Sequence, residues 1–120
     1  DDRRGTAARY DAALQGISGV TVLFPAPGVK WSYQSYVVVL DEGIDRDGII
    51  GLMAEEMIET TIGTYACHEH PAFAPWSISV ALPNSARHAA HSLTLPLVPR
   101  MEDHQVDRVV ETLDRVIRRA

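Results

Sequence analysis

I-E-T-T-I-G-T-Y-A-C-H-E-H-P-A-F, residues Ile58 to Phe73, is the stretch on which the reading of this 120-residue chain turns. It opens with the β-branched Thr60, Thr61, Ile62 and Thr64. Such residues suit a pleated, half-buried surface, so Glu59 to Tyr65 is expected to be a strand. Tyr65, Cys67, His68, Glu69 and His70 then crowd into a few positions before Pro71, and Pro71 to Pro75 reads as loop. Loops held at strand ends by a rigid scaffold are where binding and catalytic groups concentrate.

Outward from this stretch, helices and strands follow one another. Tyr10, Ala13, Leu14 and Ile17 recur at helical steps and predict a helix over Thr6 to Ile17. Val20 to Phe24 reads as a short strand, which Pro25, Pro27 and Gly28 terminate. Trp31 to Leu40, W-S-Y-Q-S-Y-V-V-V-L, has the strongest strand composition, and its apolar C-terminal half predicts a central position in a sheet. On a regular strand Tyr33 and Tyr36, three apart, would point to opposite faces. Asp45 is placed to cap a helix running to about Met57, with Ile49, Leu52, Met53 and Met57 inward.

Beyond the central stretch, Ile78 to Leu82 reads as a short extended piece and Pro83 to His91 as a helix with proline in its first turn. Leu93 to Leu97 reads as an extended run that Pro96 and Pro99 keep short as a central strand. Glu102 to Arg119 carries the clearest helical period: Val106, Val109, Val110, Leu113, Val116 and Ile117 recur at three- and four-residue steps. The order predicts one α+β domain over residues 1–120. It is a two-layer sandwich in which three to four helices cover a small antiparallel or mixed sheet of three to four strands.

Composition narrows the function. The chain is 46% hydrophobic, with no apolar run near the ~20 residues of a membrane helix. Its net charge of -5, its single lysine (Lys30) and its scattered arginines argue against nucleic-acid binding. One cysteine, Cys67, excludes an internal disulfide and fits a reducing, cytoplasmic setting. The start D-D-R-R-G-T is charged, with no apolar stretch behind it, so no secretory leader is expected. The lack of an initial Met suggests a piece of a longer protein.

The clustered side chains admit several chemistries. His68 and His70, two apart, would share one face of a strand, with Glu69 between them and His88 and His91 on a later helix. Zinc needs three or four converging ligands, and this spacing does not by itself supply them. Cys67 beside His68 suggests a nucleophile–base pair, but adjacent residues lack the geometry and no third orienting group stands out. No glycine-rich phosphate loop occurs. Trp31, Tyr33 and Tyr36 serve either sheet packing or a ligand-facing wall.

Taken in order, A-A-R-Y-D-A-A-L, Y-Q-S-Y-V-V-V-L, I-D-R-D-G-I-I-G-L-M, I-E-T-T-I-G-T-Y-A-C-H and P-N-S-A-R-H-A-A-H-S-L-T-L-P-L-V-P, followed by the last helix, resemble one family over nearly the whole chain. The family is the DegT/DnrJ-type sugar aminotransferases, and the likeness is to their small C-terminal domain. The resemblance implies a fold type I, pyridoxal-phosphate-dependent parent. Such an enzyme moves an amino group from glutamate or glutamine onto a keto-sugar nucleotide or similar polyol. The cofactor, its Schiff-base lysine, its acidic partner and its phosphate donors would lie in a large domain N-terminal to this segment. Lys30 does not stand in the lysine's place, so no residue here is expected to be catalytic, or to bind cofactor or metal.

By position in the motif, Tyr65 and His68 are the implied substrate-binding residues, with Tyr33 a further one. Implied partners are the large domain of the same polypeptide, packed on an apolar surface of this one, a second subunit and a nucleotide-sugar substrate. Against the family pattern, Met57 stands where glycine is common, Glu102 where a Thr or Ser cap is usual, and Ala66-Cys67 where a Pro or Leu often precedes the histidine. The alternative is a stand-alone α+β binding or regulatory module without the enzyme.

Overall fold

A computed structural model describes residues 2–76 and 81–120. Helix α1 (Asp2–Ala13) leads to β1 (Val20–Val22) and β2 (Tyr36–Leu40). Helix α2 (Arg46–Glu55) and β3 (Thr61–Ile62) follow, then two 3-10 turns, Cys67–Glu69 and Pro71–Trp76. Helix α3 (Pro83–His91) runs directly into β4 (Ser92–Leu95), and α4 (Asp103–Ile117) closes the chain. Of the extended piece expected at 78–82, residues 78–80 lie outside the described ones. No helix among the described residues is long and apolar enough to cross a membrane.

The four strands form one antiparallel sheet in the order β1-β2-β4-β3. β2 is central, as its two apolar faces predict, and β4 is central too for its four residues before Pro96 ends it. Alternation puts Tyr36, Val38 and Leu40 on the same face as Leu93 and Leu95. There they join Ala7, Tyr10 and Leu14 of α1, Ile49 and Met53 of α2, and the Val106–Val116 stripe of α4 in one buried core. Helix α4 packs beside both α1 and α2, so its periodic face is the hub of the helical layer.

The strands are shorter than their composition suggests. Trp31 to Ser35 is not strand, because β1 reaches only Val38 to Leu40 and β4 only Tyr36 to Val39, which leaves the preceding backbone without a partner. Tyr33 there adopts φ 50°. Its ring stacks on Tyr36 at 6.4 Å and 17°, so the two rings lie together and not on opposite faces. Likewise β3 keeps only Thr61 and Ile62 of the expected Glu59–Tyr65, extended by one Gly63 N–H to Ser92 O bond of 3.0 Å. Helix α1 lies four residues upstream of the expected span and ends in a turn at Leu14–Gly16.

Helix ends follow local chemistry. Asp45 caps α2 by accepting from the Asp47 N–H at 3.2 Å. At α4, the Glu102 N–H donates to Gln105 Oε1 at 2.9 Å, the return arm of a capping box, so Gln105 compensates for the unusual cap residue. At the end of α2, Met57 takes φ 60°, with Met57 N–H to Ala54 O at 2.9 Å and Ile58 N–H to Met53 O at 3.0 Å. This is a Schellman ending with methionine at the position that favours glycine. The left-handed conformation costs an L-residue about 1 kcal/mol, and the Met57 side chain is 87% exposed, so packing returns little of it. Met57→Gly is therefore expected to stabilise the fold by about 1 kcal/mol, a Tm rise of about 4 °C. Thermal melts of the two proteins check this, and a lower Tm for the glycine variant would refute it.

Candidate functional site

The loop after β3 is set by a glycine. A Cβ on Gly63 would fall 2.6 Å from Ser92 Cβ and 2.7 Å from Val37 Cγ1, so the chain can cross this face of the sheet only without a side chain there. Gly63→Ala is expected to cost about 2 kcal/mol by overpacking. Urea unfolding measures it, and an unchanged midpoint would show that the sheet gives way freely.

Past Gly63, Ala66 is buried and anchors the first 3-10 turn. Tyr65, just before it, is 72% exposed. Hydrogen bonds from Glu69 N–H to Ala66 O (3.0 Å), His70 N–H to Cys67 O (3.2 Å) and Phe73 N–H to His70 O (2.9 Å) carry the chain through both turns. His70 Nδ1 accepts from the Ala72 N–H at 3.2 Å, which places the proton of a neutral ring on Nε2. His68 is partly buried, with Nε2 at 3.9 Å from Glu69 Oε1.

These turns remove the strand geometry that would align His68 with His70. Among the described residues no three His, Cys, Asp or Glu side chains are grouped to hold a metal ion. Cys67 is exposed, and no hydrogen bond joins it to either imidazole among the described residues. The nucleophile–base arrangement is therefore not formed. His91, at the end of α3, has its Nδ1 buried without a hydrogen-bond partner among the described residues.

The third candidate stands apart. β3 leads toward the Ser92 end of β4, so Tyr65 and His68 leave from that end. Tyr33 precedes Tyr36, which pairs with Leu95 at the other end. Tyr33 belongs to an aromatic series: Trp31 meets it edge-on at 5.8 Å, and behind it Tyr36 stacks on Tyr10 at 4.7 Å. Tyr36 donates to Asp11 Oδ1 at 2.7 Å and Tyr10 to Pro96 O at 2.8 Å. Burial pushes the Tyr10 and Tyr36 hydroxyls well above the usual tyrosine range, and for Tyr36 the bond to Asp11 adds to it. Burial, with the Asp11 charge, raises Tyr33 as well. An open groove of about 280 Å³ lies before this series, lined by Arg4, Pro25, Val29, Lys30, Trp31 and Tyr33.

Asp11 and Arg46 escape a reading of local pattern, because Tyr36, which bonds Asp11, and the two carbonyls that Arg46 holds lie 25 residues or more away. Arg46 Nη1 donates to Ala89 O (3.1 Å) and Ser92 O (2.9 Å), and its Nε pairs with Asp47 at 2.6 Å. It thus ties the start of α2 to the end of α3 and to the strand edge from which the Tyr65 loop departs.

Residues 1–114 match the DegT/DnrJ/EryC1/StrS aminotransferase family, and the chain belongs to it. Its members are pyridoxal-phosphate-dependent enzymes of fold type I. Among relatives, the spore coat polysaccharide biosynthesis protein SpsC of Bacillus subtilis is 30% identical over 98% of this chain and 32% of its own length. The fold is similar to that of S. venezuelae DesV in complex with a ketimine intermediate (TM-score 0.86, 25% identity, 99% of this chain and 32% of that one). It is equally similar to DesI in the presence of its TDP-sugar product (TM-score 0.85, 28% identity, 99% and 31%). The chain thus spans about a third of the length of these relatives.

The family's cofactor does not fit the residues present. Lys30, the only lysine, is exposed in the loop before β2, in an open groove with no glycine-rich phosphate cradle. No step through the cofactor can be built on this chain's own groups.

Proposed function

We propose that this chain is the C-terminal domain of a cytoplasmic, homodimeric sugar aminotransferase. Its Tyr65–His68 loop would form the substrate-side wall of a site whose cofactor and Schiff-base lysine lie in the preceding part of the polypeptide. One observation carries this reading: the chain superposes over nearly its full length on about a third of solved sugar aminotransferases, yet its only lysine stands in an exposed loop. DesI's TDP-sugar product makes a keto-sugar nucleotide the proposed substrate class here. Tyr65, largely exposed, offers a hydroxyl, and His68 an imidazole held beside Glu69. Both can donate to sugar hydroxyls or phosphate oxygens. Tyr33, at the other end of the sheet, would join them only in a site that spans the domain.

The test is expression of the full-length protein, with its visible absorbance recorded. A band of bound pyridoxal phosphate that bleaches with glutamate or glutamine is expected. A colourless protein leaves a binding or regulatory module instead. In the active enzyme, His68→Ala should raise KM for the sugar nucleotide about tenfold, the loss of one charge-assisted hydrogen bond. Tyr33→Phe, by the opposite end of the sheet, should change KM less than His68→Ala does. An unchanged KM for His68→Ala removes that residue from the wall.

A further inference from the structure

Ser92 is the point at which three elements meet. It opens β4, is 1% exposed, and its hydroxyl donates to His88 O at the end of α3. Its carbonyl oxygen takes two donors, Gly63 N–H at 3.0 Å and Arg46 Nη1 at 2.9 Å. A carbonyl has two lone pairs, so this one is fully used. The Gly63 bond is neutral and extends a strand whose ladder with β4 covers only Thr61 and Ile62. The Arg46 bond comes from a largely buried cation, and such bonds are about twice as strong as neutral ones. The guanidinium is itself fixed, with Nε on Asp47 Oδ1 at 2.6 Å and Nη1 also on Ala89 O at 3.1 Å. The direction of the Ser92 carbonyl is therefore set from α2, and Gly63 follows it.

We infer that Arg46 is a positioning residue for substrate binding: acting through Ser92 O and Gly63, it fixes where the Tyr65–His68 loop stands. The inference rests on the reading under Proposed function that this loop faces the sugar nucleotide. It assigns control of the loop to a buried side chain on another element.

Contact transmits the position as well as the hydrogen bond. A Cβ on Gly63 would lie 2.6 Å from both Cβ and Oγ of Ser92, so the two residues are pressed together. A swing of Ser92 has no gap in which to be lost. The other tie near this point, Thr94 Oγ1 to Ile62 O at 3.1 Å, acts before Gly63 and leaves the direction beyond it free. His68 follows Gly63 closely in the chain, within a reach of ~17 Å. A tilt of about 6° at Gly63 moves a group ~10 Å along the loop by about 1 Å. That displacement exceeds the ~0.5 Å width of the useful hydrogen-bond range, so a small error at Ser92 costs the loop its contacts.

Steady-state kinetics of the full-length enzyme test this, with a TDP-linked keto-sugar as probe and glutamate as amino donor. Arg46→Ala should raise KM for the probe roughly tenfold, as losing the His68 contact does, and leave kcat within about twofold. Arg46→Lys should raise KM at least ~threefold, which keeps the test open if the alanine variant does not fold. In a Tyr65→Phe, His68→Ala background either substitution should add less than about twofold, because the groups it positions are gone. A KM within about twofold of wild type in both variants would overturn the inference. An equal rise in that background would overturn it too, since a general loosening of the fold acts without those groups. Crystal structures of the full-length wild-type and Arg46→Lys proteins give a readout independent of activity. Tyr65 to His68 should shift by at least ~1 Å against the sheet while α4 superposes, and a shift under ~0.3 Å would refute the relay. A colourless protein, or one that does not turn the probe over, removes the aminotransferase reading or the probe, and the crystal comparison then decides. If neither variant folds, the wild-type crystal structure decides: both bonds to Ser92 O at hydrogen-bond length uphold the relay, and either one beyond ~3.5 Å sinks it.

Discussion

Between pH 10 and 11 the protein should lose about 2 kcal/mol of stability, roughly 1 kcal/mol from each of two buried tyrosines. Tyr10 and Tyr36 are buried in the core, stacked on each other, and both hold their protons well above the ordinary value of 10.0. Burial is the main cause for both. For Tyr36 the hydrogen bond to Asp11 and that carboxylate's charge act in the same direction. Below pH 10, folded and unfolded chains both keep these protons, and the stability the two groups contribute is fully present. Above it, the unfolded chain releases protons that the folded chain retains, so rising pH favours unfolding. Each tyrosine's slope is about 0.7 kcal/mol per unit at pH 10 and rises toward about 1.4 kcal/mol per unit at pH 11 and above, until the pH nears its folded value. Urea midpoints at pH 9, 10, 10.5 and 11 measure the slope, and Tyr10→Phe should halve it. A flat profile over this range would mean that these hydroxyls ionise as freely in the fold as outside it.

Arg46→Ala should cost about 3 kcal/mol, more than any single substitution proposed above. Its guanidinium side chain is only 11% exposed. Its two carbonyl partners, Ala89 O and Ser92 O, close the last turn of α3 and the first residue of β4. Helix C-termini leave carbonyls without intrahelical donors, and a cation there satisfies both the hydrogen bonds and the dipole. Ser92 O also accepts the Gly63 N–H, so losing Arg46 loosens the residue from which the Tyr65–His68 loop departs. Arg46→Lys should recover less than half of the loss, because one ammonium cannot copy the planar fork that spans Ala89, Ser92 and Asp47. Chemical denaturation of the three proteins tests both statements. Equal stability of the lysine and arginine proteins would show that charge alone matters.

Much of this architecture is local and was legible in the chain. The bounds of α3, the stripe of α4, the cap at Asp45 and the central place of β2 all follow from side-chain period and turn chemistry. The crowding of Tyr65 and His68 in one loop after a strand was legible for the same reason. The family likeness rests on the order of those elements and on L-T-L-P and G-T-Y, which the match over residues 1–114 bears out.

Other features required the folded molecule. Composition could not show where the strands stop, because a residue is strand only where another chain segment offers its hydrogen bonds, and β1 and β4 run out before Trp31–Ser35. That shortfall lets Tyr33 turn and stack on Tyr36, against the alternation a longer strand would impose. Met57 in a glycine's conformation reflects the Schellman bonds and core contacts of its neighbours, which outweigh its own preference. The exposed Phe73 and Trp76 fall in a 3-10 turn that no helical or strand period announces. By itself the amino-acid order determined the elements and their succession, since period, caps and turns act within a few residues. Strand length and the Arg46 tie were decided by tertiary structure, since each depends on groups far apart in the chain that meet only once it has folded.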